Sequence, residues 1–234
     1  MIHKVKNIKE KIKYFSLKPF GNKNYCKFIV LCRSRTGSNM LVSMLNNHDK
    51  IKCYRELARE RKIEIKKIYN KQPYFIEAVG FKIFYYHPIR EENSKIWDEL
   101  KNINNLRVIH LKRKNVVRTI VSKKIAEKTG KWQNSEISKN KKEISIGKEE
   151  LQKKYERTKQ WERWGDEFFA DKKIKEVFYE DIVSEGKKES QNLLNFLGVK
   201  RKDIRPDTGK QNPEPLSDLI VNYGEVSDLV KKYE

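Results

Sequence analysis

Residues 27–48 read KFIVLCRSRTGSNMLVSMLNNH, and no other stretch constrains the fold as tightly. Phe28, Ile29, Val30, Leu31 and Cys32 form an unbroken apolar run of strand length, the pattern of a strand covered on both faces. It feeds a short polar loop, RSRTGSN, after which Met40, Leu41, Met44 and Leu45 fall on one face of a helix over 38–46. Strand, glycine loop and helix in immediate succession begin an α/β unit.

The rest of the chain repeats the alternation. Strand-like segments rich in β-branched and aromatic residues lie at 28–32, 80–86, 107–113 and 176–179. Helix-like segments at 94–101 and 115–128 follow the second and third, and 186–197 follows the fourth. The expected fold class is therefore α/β, a parallel sheet flanked by helices in three layers. Residues 128–150, KTGKWQNSEISKNKKEISIGKEE, interrupt the pattern and read as an exposed, lysine-heavy loop or flap. A long helix follows, with Leu151, Tyr155, Thr158, Trp161, Gly165 and Phe168 at steps of three and four; this spacing assigns Trp161 and Phe168 to packing.

A chain of 234 residues needs only one domain, expected over 25–234. Residues 1–24 form a basic extension, where Ile2, Val5, Ile8, Ile12 and Phe15 recur at helical spacing among lysines. That pattern suits either peripheral contact with a membrane surface or a solvated helix resting on the domain. The net charge of +21 points to anionic partners without choosing among nucleic acid, lipid surface and phosphorylated small molecules. Cys26, Cys32 and Cys53 form no metal-ligand pattern with the histidines, which favours a reduced compartment and no metal. The apolar runs fall far short of the ~20 residues that span a bilayer, and a cytoplasmic location is expected.

In a doubly wound sheet the loop from the first strand into the first helix aims backbone N–H groups and a positive helix end at an anion. RSRTGSN occupies that position: Gly37 allows close approach, Thr36, Ser38 and Asn39 add donors, and Arg35 offers a planar fork matched to phosphate or sulfate oxygens. The loop lacks the lysine of GxxxxGK[ST], which disfavours a nucleoside triphosphatase. A second anion grip lies in RVIHLKRKNVVRTIVSKK, with Arg113 or Lys114 at the strand end. There Asn115, Arg118 and Ser122 share one helix face, opposite Val117, Ile120 and Val121. Two anion sites at neighbouring strand ends suit a nucleoside carrying phosphates at both ends.

These two motifs, with VFYEDIV at 177–183 and LLNFLGV at 193–199, resemble the sulfotransferases that use 3'-phosphoadenosine 5'-phosphosulfate (PAPS), especially the bacterial type acting on carbohydrates or lipids. The resemblance spans roughly 27–223 and implies the P-loop nucleotide-hydrolase-like sulfotransferase fold. It implies that Arg33, Ser34, Arg35, Thr36, Gly37, Ser38 and Asn39 hold the 5'-phosphosulfate, with Arg35 at the bridging oxygen. Arg113 and Ser122 are implied for the 3'-phosphate; they stand nine positions apart, whereas many relatives show eight, the spacing that Lys114 gives. Lys210 and Gln211 are implied to close over the nucleotide.

Glu56, in CYRELARE, is the implied catalytic base beside Arg35; its spacing of four from Glu60 and Glu64 equally suits carboxylates on a solvated helix. His110 is the rival base, though it sits inside a strand and suits a packed, hydrogen-bonded histidine. His48 is expected to order the turn after the first helix, and Tyr179, Glu180 and Asp181 to shape a strand end and helix entry. The donor is already activated, so no metal is implied. Acceptor choice falls to 55–75 and 128–150, the basic character of the latter, through Lys139, Lys141 and Lys142, suiting an anionic acceptor. Two other classes remain open: a P-loop-type kinase or nucleotide hydrolase, and a basic nucleic-acid-binding module. The second is weakened because the lysines are spread evenly and no base-reading motif is present.

Overall fold

The computed structural model describes residues 16–58, 64–89, 95–130, 132, 142–205 and 214–234. The amphipathic pattern of residues 1–15, together with Glu60, Lys139, Lys141, Lys210 and Gln211, lies outside the described residues.

Five strands, β1 (Cys26–Cys32), β2 (Ile51–Glu56), β3 (Ala78–Phe84), β4 (Arg107–Lys112) and β5 (Lys173–Phe178), form one parallel sheet in the order β2-β3-β1-β4-β5. Between them run α1 (Ser38–Asn46), α2 (Ile65–Ile68), α3 (Ile96–Lys101), α4 (Val116–Thr129) and α5 (Lys148–Phe168). After β5 come α6 (Tyr179–Ser184), α7 (Gly186–Leu197), α8 (Leu216–Leu219) and α9 (Tyr223–Tyr233). The expected α/β sheet is present, with one strand more than the sequence pattern signals. Ile51 and Cys53 are buried while Lys52 and Tyr54 are only half-buried, so β2 alternates over too few residues to stand out.

Alternate residues of the central strand face opposite layers. Phe28, Val30 and Cys32 pack with Met40, Leu41 and Leu45 of α1 and with Leu193, Leu194 and Leu197 of α7. Ile29 and Leu31 turn to the other face, against Phe81, Ile83, Leu100 and Phe169, with Trp161, Trp164 and Phe168 of α5 at its margin. Trp161 and Phe168 thus pack as their spacing predicts. A third cluster joins Val117, Ile120 and Val121 of α4 to Leu151, Leu216, Leu219, Val226 and Val230. Full burial of each such side chain stabilises by roughly 1.5–3 kcal/mol.

The expectation of an exposed loop over 128–150 is corrected at its end. Ile144 and Ile146 are buried in the third cluster, Ile144 bridges Ile220, and α5 already begins at Lys148. These two isoleucines are isolated in a polar run, so periodicity could not reveal them. Among the described residues no helix is long and apolar enough to cross a membrane.

The order fixes where a ligand can sit. From β1 the chain leaves toward β2 on one side, and from β4 it leaves toward β5 on the other. The crevice between the carboxyl ends of these neighbouring strands is the switch point at which parallel sheets bind ligands.

Candidate active site

Loop 33–37 lies at that crevice, and its residues divide into anchors and donors. Arg33 is an anchor: 4 % exposed, it donates through Nη1 to Thr119 Oγ1 of α4 at 2.9 Å and to Thr158 Oγ1 of α5 at 2.7 Å. Burial pulls its guanidinium down to about 10. Thr36 Oγ1 donates to the Arg33 carbonyl at 2.8 Å, closing the turn. Ser34 Oγ is buried without a well-formed hydrogen bond among the described residues, beside the Tyr86 hydroxyl. Gly37 caps α1 at φ 81°, and a Cβ there would lie 2.2 Å from Cδ2 of Tyr179, so only glycine lets the loop approach α6.

Arg35 is held differently. At φ 70° it occupies the left-handed region, costly for a residue with a Cβ. Its Nε donates to Ser122 Oγ at 2.9 Å and its Nη1 to the Trp132 carbonyl at 2.9 Å. Arg113, at the end of β4, donates from Nη1 to the Arg35 carbonyl at 3.1 Å and lies 4.4 Å over the Tyr179 ring. The two expected anion grips therefore form one site: Arg35, Arg113 and Ser122 converge on each other. Burial, then the neighbouring Arg113, depresses the Arg35 guanidinium; burial likewise depresses Arg113 against the pull of Glu180. Two arginines disfavoured by desolvation in one crevice are stabilised by an arriving anion.

The structure also separates Arg113 from Lys114. The Lys114 ammonium is 2.5 Å from Asp181, its side chain is 53 % exposed, and its backbone N–H donates to Glu180 Oε2. Lys114 points away from the loop, and Glu180 and Asp181 clamp the β4–α4 turn, the shaping role expected of them. Asn115 caps α4 by accepting from Arg118 N–H, and Arg118 Nη1 donates to the Glu214 carbonyl, pinning the C-terminal segment beside α4.

Glu56 is the last residue of β2, not part of a solvated helix. Its carboxylate is 2.8 Å from Lys82 Nζ, and the same ammonium donates to Asn39 Oδ1 at 2.7 Å. Lys82 lies on β3 between Phe81 and Ile83, is 1 % exposed, and sits over the Phe84 ring. It carries positive charge from Glu56 to the first turn of α1, where Ser38 is buried and Asn39 half-buried. Its signal was present in the sequence, a lysine interrupting an apolar strand.

His110 lies elsewhere. Fully buried, its Nε2 bonds the Tyr85 hydroxyl at 2.8 Å and its Nδ1 meets Asp166 Oδ1 at 2.7 Å. Burial, reinforced by Lys112, pulls it down to about 4, so the ring is neutral near pH 7. It ties α5 to the sheet. His48 bonds the Lys200 carbonyl and accepts from Lys50 N–H, ordering the turn after α1 as its position predicts.

The architecture is a parallel α/β sheet with an arginine-lined, glycine-containing loop at its switch point, the place where such sheets bind ligands. The Sulfotransferase family model matches residues 99–203. No curated protein sequence matches the chain. Among solved structures, a sulfotransferase from Alicyclobacillus acidocaldarius superposes with a TM-score of 0.51 at 14 % identity, covering 89 % of this chain and 92 % of the other. The sulfotransferase domain from the curacin biosynthetic pathway gives 0.53 at 14 % identity, with 90 % and 98 % covered. The fold is that of these two sulfotransferases, and residues 99–203 carry the match to the family model.

Proposed function

We propose that the protein moves a sulfuryl group from PAPS to a hydroxyl of a carbohydrate or lipid acceptor. The observation that carries this reading is the convergence of Arg35, Arg113 and Ser122, with Arg35 Nε and Ser122 Oγ 2.9 Å apart. One nucleotide with a phosphate at each end addresses both strand ends at once.

In this reading loop 33–39 holds the 5'-phosphosulfate and Arg113 with Ser122 holds the 3'-phosphate. Glu56 takes the proton of the attacking hydroxyl as the acceptor oxygen forms its bond to sulfur. The bond from sulfur to the bridging oxygen breaks, and its electron pair leaves with the phosphate of adenosine 3',5'-bisphosphate. Arg35 and the first-turn N–H groups of α1 stabilise that developing charge, an effect that costs about 10²- to 10³-fold when one such donor is removed from other enzymes. Lys82 orients the Glu56 carboxylate and adds positive charge at its side of the crevice.

The test is calorimetric titration of adenosine 3',5'-bisphosphate, with adenosine 5'-monophosphate as control, followed by transfer of labelled sulfuryl group to a hydroxyl acceptor. Binding that needs both phosphates and weakens in Arg35→Ala and Ser122→Ala is expected. Glu56→Gln should keep nucleotide affinity and lose about 10²- to 10⁴-fold in kcat, the usual contribution of a positioned base. A folded protein that ignores the bisphosphate would refute the assignment.

A further inference from the structure

The opposite end of the sheet carries a pattern of its own. The chain enters β1 from a single 3₁₀ turn over Lys18–Phe20, and Asn22 forms an antiparallel bridge with Gln72, each backbone N–H donating to the other carbonyl at 3.0 and 2.9 Å. The bridge sets the segment before β1 beside the segment before β3, at the amino ends of the strands and about 20 Å from the crevice by strand length. On either side of it two large side chains stand in water, Phe20 at 85 % and Tyr74 at 68 % exposure. Around them the charge has one sign: residues 16–27 hold Lys18, Lys23 and Lys27, residues 68–76 hold Lys71, and neither stretch contains an acidic residue. Lys52, the second residue of the edge strand β2, joins the same end of the sheet, its ammonium 5.2 Å over the Tyr54 ring. Burial, then the neighbouring Lys18, pulls Lys52 down to about 8. Crowded ammonium groups of this kind are relieved by an arriving anion.

We propose that this amino-end face, with Phe20 and Tyr74 at its tip and Lys18 and Lys52 beside them, docks on an anionic lipid surface. An exposed phenylalanine has no polar handle and gains by entering the boundary between headgroups and acyl chains, where tyrosine also sits well. Lysines beside them keep their ammonium groups at the level of the lipid phosphates while their stems follow the apolar surface. A single-stranded nucleic acid would use lysines and ring faces too. The sequence leading into the face decides for lipid: from Ile2 to Phe15 its apolar residues are aliphatic, apart from Phe15, and recur at helical spacing among lysines, a pattern that suits acyl chains and offers bases little to stack on. Docked this way, the crevice at the carboxyl ends of the strands opens away from the bilayer. Under the sulfuryl-transfer reading the acceptor hydroxyl then arrives from the aqueous side, which favours a carbohydrate over a lipid hydroxyl lying in the same bilayer; the docking itself does not depend on that reading.

The test is co-sedimentation of the full chain with phosphatidylcholine vesicles, with and without phosphatidylglycerol, beside oligothymidylate as a polyanion that has no acyl chains. Partitioning should require phosphatidylglycerol, weaken as salt is raised, and exceed binding to the oligonucleotide. The double variant Phe20→Ala, Tyr74→Ala, its fold checked by circular dichroism, should lose about tenfold or more in partitioning although residues 1–15 are intact. Lys18→Gln should lose about fivefold, the share of one lysine near a charged bilayer. In a Phe20→Trp variant, lipids brominated on the acyl chains should quench the added indole, while the wild-type tryptophans, among them Trp132 beside Arg35, stay bright. Equal partitioning onto neutral vesicles, tighter binding to the oligonucleotide, or quenching of the wild-type tryptophans would each overturn the inference. So would a double variant that partitions like the wild type, since residues 1–15 would then bind without this face. None of these readouts involves sulfuryl transfer, so loss of bisphosphate binding would sink that reading and leave the docking face standing.

Discussion

The geometry of Gly37 makes one substitution unusually informative. In Gly37→Ala two costs add. The first is backbone: at φ 81° an L-residue is disfavoured by about 1–2 kcal/mol. The second is steric, because the new Cβ would stand 2.2 Å from Tyr179 Cδ2 and 2.7 Å from Cε2, where ordinary contact begins at 3.4 Å. The ring must retreat by roughly 1 Å, and overpacking of this kind typically costs ~1–3 kcal/mol. The expected loss of stability is therefore about 2–5 kcal/mol. Gly130→Ala supplies the control, for Gly130 has φ 69° and nothing within 4 Å of the place a Cβ would take, so it should lose only the backbone part. Urea denaturation of both variants separates the two costs, and Tyr179→Leu should recover much of the difference by making room. Tyr179 also supports the Arg113 guanidinium at 4.4 Å, so Gly37→Ala should weaken adenosine 3',5'-bisphosphate binding beyond its effect on stability. Equal destabilisation at positions 37 and 130, or unchanged nucleotide affinity, would refute the claim that loop 33–37 and α6 are fitted to each other around glycine.

Three further outcomes follow from the same contacts. Arg113→Ala should weaken bisphosphate binding by about 10- to 100-fold, the range for a charged hydrogen bond, while Lys114→Ala should change it less than about threefold, since its exposed pair with Asp181 is worth little. Arg35→Ala and Ser122→Ala should be non-additive in calorimetry by about 0.5–3 kcal/mol, because each removes one end of the same 2.9 Å hydrogen bond; strict additivity would show that the two strand ends act independently. His110 is depressed from 6.5 to about 4, so the unfolded chain binds the extra proton between these values and stability falls as pH drops through that window, by up to about 3 kcal/mol. Urea titrations at pH 7 and pH 4.5 should show His110→Gln losing less than the wild type.

The elements that could be read from sequence are those with a long, clean period. Helices 38–46 and 186–197 appear with the bounds that their apolar spacing predicts, because each packs a regular set of leucines against the sheet. The buried strands were legible from unbroken apolar runs, yet their ends shift: β3 runs Ala78–Phe84 and β5 runs Lys173–Phe178. At these ends pairing with a neighbour decides where a strand starts, and no local period carries that information. β5 illustrates the difficulty, since Lys173, Ile174, Lys175 and Glu176 pair with β4 at the outer edge of the sheet although only Val177 of the strand is fully buried. Helices α8 and α9 escaped for a related reason: α8 is a single turn, held by contacts of Leu216 and Leu219 with α4.

The donors of the loop and of the β4 end could be listed from the sequence, but not how packing divides them. Three arginines, Arg33, Arg35 and Arg113, look interchangeable in the sequence as anion ligands. Packing distinguishes them, because Arg33 commits its Nη1 to two threonines from α4 and α5 while Arg35 and Arg113 meet across the crevice. That division has a physical logic. A loop required to hold two desolvated guanidinium groups near each other suffers their repulsion; Arg33, itself a third buried guanidinium, commits its Nη1 to two threonine hydroxyls and so ties the loop to two helices. Lys82 solves the opposite problem for Glu56. In the proposed reaction a carboxylate beside the phosphosulfate is repelled by it, and the ammonium 2.8 Å away offsets that repulsion and holds the carboxylate in place. Lys82 shows in the sequence only as a lysine interrupting an apolar strand, and Arg33 as one arginine among three; which partners each one meets depends on residues brought together from different strands and helices, and emerges only from the fold.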